Sequence, residues 1–78
     1  MDAEQLSQLA MSLRDNEVFQ MVLDRIRTGA LDALVSADAT DAQEINKHQA
    51  TVRVVDELRG DIEGFIASGL PKKKPGLA

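Results

Sequence analysis

The sequence predicts an all-α fold, a short N-terminal helix followed by a long antiparallel helical hairpin that assembles into a helical bundle. Three observations carry this. Apolar residues recur at three- and four-residue spacing through two long segments, about 16–37 and 41–68. One short polar stretch, Asp38-Ala39-Thr40, separates them. The β-branched residues fall at helical rather than alternate positions, so nothing reads as a strand. A single helical domain over residues 1–70 is expected, with helices at about 3–14, 17–36 and 41–68 and a flexible basic tail over 71–78.

The first helix is capped by Asp2 and carries Leu6, Leu9, Ala10 and Leu13 on one side. It ends near Arg14-Asp15-Asn16, where the polar side chains turn the chain and cap the next helix. Glu17 then sits in a first turn, where a carboxylate is favoured by the helix dipole. Along the second helix Val18, Phe19, Val22, Ile26, Ala30, Ala33 and Leu34 form a stripe, widened by Met21, Leu23 and Leu31. Gly29 interrupts it and is expected where another helix crosses closely, with a local break as the alternative. Thr40-Asp41-Ala42-Gln43 matches a capping box, with Thr40 as the cap and Gln43 reaching back. The third helix carries Ile45, Val52, Val55, Leu58, Ile62, Phe65 and Ile66, with Val54 on the flank. Gly69 suits the position past its end, and Pro71 prevents continuation.

Composition narrows the function. The chain of 78 residues has no cysteine, which removes disulfides and thiolate metal sites, and a single histidine, His48, which excludes a His-rich zinc site. Residues 1–70 carry six Lys and Arg against thirteen Asp and Glu, whereas 71–78 add three lysines. An acidic body does not make a duplex-DNA footprint. Only Lys72, Lys73 and Lys74 are candidates for a weak polyanion contact. No apolar run reaches the length of a membrane span and the N-terminus is not a signal peptide, so a soluble, intracellular protein is expected.

No catalytic motif emerges. His48 follows Glu44 by four positions and shares its helix face, but no further ligand or base converges from the sequence. No phosphate loop follows a strand, and no Ser-His-Asp or Cys-His set can be built. The reading is no enzyme, no cofactor, no metal and no small-molecule substrate. Arg53, Asp56, Glu57 and Arg59 make a charged patch in which Arg53–Glu57 and Arg53–Asp56 have ion-pair spacing, either a solvated face or a rim around an interface; Asp24, Arg25 and Arg27 read the same way.

The apolar stripes are wider than one hairpin needs. Phe19, Val22, Ile26, Leu34, Ile45, Val52, Val55, Ile62 and Ile66 are assigned to the internal seam, and the first helix to a second side of the hairpin. Leu23, Leu31, Val54, Leu58 and Phe65 are left over, and Gly60 and Gly64 mark a shallow groove for a close helix crossing. These seven residues form the expected protein interface. Burying a large apolar side chain contributes about 1.5–3 kcal/mol, so a small domain that leaves several exposed is expected to self-associate, most simply as a symmetric dimer forming a four-helix bundle, or to join a larger assembly.

The stretch NEVFQMVLDRIRTGALDALVSADATD followed by EINKHQATVRVVDELRGDIEGFI resembles small helical-hairpin proteins encoded among tailed-bacteriophage structural and packaging genes. The likeness lies in the short acidic turn, the Gln-containing start of the second arm and its apolar-acidic finish. It implies a virion or assembly component acting in repeated copies, located in the bacterial cytoplasm during assembly and then in the virion. Two alternatives remain: a small regulatory inhibitor that binds a protein, for example in anti-defence, and a nucleic-acid-associated protein using its lysine tail.

Overall fold

The computed structural model describes residues 1–70; the lysine run and Pro71 lie outside the described residues. The fold is all-helical, with α1 over Ala3–Arg14, α2 over Glu17–Ser36 and α3 over Ala42–Ser68. Each helix starts where a short polar side chain caps it. Asp2 accepts from the Gln5 amide at 2.7 Å while the Gln5 side chain accepts from the Asp2 amide, a reciprocal capping box. Asn16 accepts from the Phe19 amide at 2.8 Å.

The third cap differs from the sequence expectation by one residue. Asp41, not Thr40, accepts from the Glu44 amide, at 3.1 Å. Thr40 is engaged by Asp38, whose carboxylate accepts from both its amide, at 2.8 Å, and its hydroxyl, at 2.7 Å. Asp38 thus closes the turn, and the carboxylate of Asp41 is left at the positive end of α3.

α3 is the spine of the molecule. Both other helices lie against it, and they touch each other only sparsely. Arg27 of α2 reaches Asp56, and Asp24 reaches Arg59, so α2 runs antiparallel to α3 beside its N-terminal and central turns. α1 lies against the other end: Ala10 clusters with Ile62 and Ile66, while Ser7 bonds the Ile66 carbonyl. α1 and α2 therefore follow one another along α3. The expectation that α1 covers a second side of the hairpin is corrected, because α1 prolongs the α2 arm instead.

The seam has a heptad spacing that includes polar positions and so differs from the apolar stripes. On α2 and its C-cap the buried or half-buried positions include Gln20, Leu23, Arg27, Ala30, Leu34 and Ala37; on α3 and its C-cap they are Ile45, His48, Val52, Val55, Arg59, Ile62, Ile66 and Gly69, with Thr51 beside Val52. Steps of three and four alternate along both, as in an antiparallel coiled coil. Leu23, assigned to an outer interface, is 5% exposed and belongs to this seam. Val22 and Ile26, assigned to the seam, are each 46% exposed. The polar residues Gln20, Arg27 and Arg59 occupy inward-turned positions and send their heads to the edge, which rotates the apolar stripe away from the contact line.

α1 locks onto α3 through small residues. Ser7, 2% exposed, donates its hydroxyl to the Ile66 carbonyl at 2.9 Å. Gly69 faces it: a Cβ there would overlap the Ser7 Cβ and stand 2.5 Å from the Ala3 carbonyl oxygen. The Gly69 backbone is right-handed, with φ −93°. Glycine is required here for space, not for a left-handed turn.

Candidate functional site

The two sides of the α2–α3 hairpin differ. One edge is charged. Arg27 Nε donates to Asp56 Oδ1 at 2.8 Å and its Nη2 to Oδ2 at 3.4 Å, while Arg59 Nη2 donates to Asp24 at 2.5 Å and to the Gln20 side-chain oxygen at 3.3 Å. The hydrogen bond from Arg27 holds the Asp56 carboxyl below its ordinary range, against the opposing effect of desolvation. These bonds join the two helices, so Asp56 pairs with Arg27 across the seam rather than with Arg53 along α3.

The opposite side is apolar. Ile26 of α2 and Ala50, Thr51, Val54 and Leu58 of α3 border a groove of about 320 Å³, with Leu23 and Val55 at its base. Val54 is 57% exposed and Leu58 38%. On an ideal helix Val54 and Leu58 lie about 100° around from the seam, and so do Val22 and Ile26 on α2. Phe65, half exposed and one heptad beyond Leu58, continues the stripe. Each helix of the hairpin thus carries a second apolar seam, and both second seams turn to one side.

The expected interface residues divide. Val54, Leu58 and Phe65 lie on the apolar side. Leu23 supplies the base of the groove and is covered by its own chain. Leu31, seven residues after Asp24, falls on the ion-paired edge. Gly60 and Gly64 lie on the back of α3, where an added Cβ would meet nothing within 4 Å. Among the described residues no helix crosses there, and the same holds at Gly29, through which α2 passes unbroken. Exposed Ile26 and Val22 are the part of the face that sequence reasoning assigned elsewhere. The signal that identifies them is the heptad spacing of Leu23, Ala30 and Leu34, which leaves Val22 and Ile26 off the contact line.

His48 and Glu44 do meet, with Nε2 and Oε2 at 3.1 Å, one turn from the start of α3. Among the described residues no group of three or more His, Asp or Glu side chains is placed to hold a metal ion, and no helix is long and apolar enough to cross a membrane. The outer face of α2 has a wider, shallow depression open to water, bordered by Asp24, Asp32 and Arg25 together with Met21, Thr28 and Gly29. No protein-family model matches the chain, and comparisons with curated proteins and with solved structures find no significant similarity.

Proposed function

We propose that this chain is a non-enzymatic helical interaction protein whose working surface is the apolar side of the α2–α3 hairpin. The observation that carries this is the alignment of Ile26, Val54 and Leu58, all exposed, over an apolar groove. Large side chains grouped on one side of a small domain favour burial against a partner. Six polar side chains that serve the fold support the same reading: Asp2, Asn16 and Asp41 cap helices, Asp24 and Asp56 tie α2 to α3, and Asp38 closes the turn.

The resemblance to small proteins of tailed-phage structural and packaging gene modules supports a narrower role, as a virion or assembly component acting in repeated copies or on a head or tail structure. The test is recovery of partners from producing cells by tagged wild type and by Leu58→Asp. Wild type is expected to retain assembly proteins and the variant to lose them by about a hundredfold, the effect of placing a charge in a buried apolar contact. Far-UV circular dichroism checks that the helices persist, and Val54→Asp, at a more exposed position, repeats the experiment. Equal recovery by wild type and both variants overturns the reading, and recovery of a host protein alone replaces the assembly role with a regulatory one.

A further inference from the structure

We infer that the apolar side of the hairpin is covered by a second copy of this chain, related by a two-fold axis that passes beside Val54 and between Ile26 and Gly29. The inference rests on reading this side as the working surface and adds its occupant and its register.

The exposed stripe of α3 reads Lys47, Ala50, Val54, Leu58, Asp61, and its steps of three, four, four and three are the same in both directions. Lys47 and Asp61 stand about 10 Å on either side of Val54 along the helix. In an isologous contact every off-axis pair occurs twice, and a residue on the axis meets its own copy. An antiparallel second copy would set Val54 on Val54, Ala50 on Leu58, and Lys47 on Asp61. Small meets large, and cation meets anion. A parallel copy would stack Lys47 on Lys47 and Asp61 on Asp61, which like-charge repulsion disfavours.

α2 repeats the pattern. Its stripe Val22, Ile26, Gly29, Ala33 is also symmetric about its middle. Reversal places Val22 on Ala33 and Ile26 on Gly29, where the absent Cβ leaves open space on the helix surface. The Arg27–Asp56 ion pair brings the middle of this stripe level with α3 within one turn of Val54. One axis therefore serves both helices. The product is a four-helix bundle in which every neighbouring pair is antiparallel and the ion-paired edges stay outside.

Because the chain has no cysteine, introduced thiols report the geometry directly. Val54→Cys on the axis is expected to form a covalent dimer rapidly under mild oxidation, and Gly64→Cys on the back of α3 to do so far more slowly. Light scattering is expected to show a wild-type dimer at tens of micromolar. Lys47→Asp should weaken it about tenfold, and the exchange Lys47→Asp with Asp61→Lys should restore it. Circular dichroism accompanies each variant to separate dissociation from unfolding. A monomeric wild type overturns the second-copy inference while leaving the proposed function to its own partner test. A dimer insensitive to the Lys47 reversal, with equal cross-linking at the two thiols, overturns the register. A dimer that also survives Leu58→Asp removes the apolar side as the working surface and takes the proposed function with it.

Discussion

The three glycines of α3 and its cap lie in different surroundings. Gly69 is held by the close approach of Ser7 and Ala3, whereas Gly60 and Gly64 sit in open space. Alanine should therefore act with opposite sign. Gly69→Ala forces α1 to shift and is expected to destabilise by about 1–3 kcal/mol, as overpacking does. Gly60→Ala and Gly64→Ala are each expected to stabilise by about 0.5–1 kcal/mol through helix propensity. Chemical denaturation of the three variants measures both directions, and a loss at Gly60 or Gly64 would reveal a contact made there by another molecule. Ser7 was the least legible residue: a serine in a polar-looking turn gives no sign that it is the buried bond of α1 to α3.

Helix boundaries were readable because their determinants are local. Asp2 and Asn16 cap as their residue types predict, and the one-residue correction at Asp41 arises from competition by Asp38 for Thr40. The seam was harder to read because it depends on both helices at once. Arg27 and Arg59 occupy seam positions only by virtue of carboxylates on the facing helix, and no single helix sequence displays that pairing. At this scale stability acquires a pH dependence. Thr40 holds the Asp38 carboxyl, and Arg27 the Asp56 carboxyl, below the ordinary value of about 4. A carboxyl with a lowered folded value contributes stability that is complete above its unfolded value and is lost as pH falls through the folded one. The melting temperature is expected to fall below about pH 4, and Asp38→Asn with Asp56→Asn should flatten that part of the profile while lowering the plateau above it.

At the scale of the molecule, the hairpin carries its inter-helix ion pairs on one edge and an apolar groove on the other. The apolar side was partly legible, since Val54, Leu58 and Phe65 were recognisable as surplus to one seam. Leu23 and Val22 exchanged roles because a rotation of one position in the assumed seam moves residues between core and surface. Leu58→Asp is again the discriminating change: loss of association with helicity retained is the expected outcome, and unfolding of the whole domain would place Leu58 within the monomer core.

The end-to-end arrangement of α1 and α2 along α3 has a dynamic consequence. α1 is held chiefly by α3, through Ser7, Ala10 and the pit at Gly69, and more lightly by α2, where Phe19 packs on the Ala10 cluster and the Gln20 side chain donates to the Arg14 carbonyl. It can peel from α3 by a local opening that leaves the α2–α3 hairpin closed. In hydrogen exchange the amides of α1 are expected to exchange through this smaller opening, and those around Leu23 and Val55 only on global unfolding. Gly69→Ala should speed exchange in α1 alone. One protection level shared by all three helices would show instead that the chain opens as a single cooperative unit.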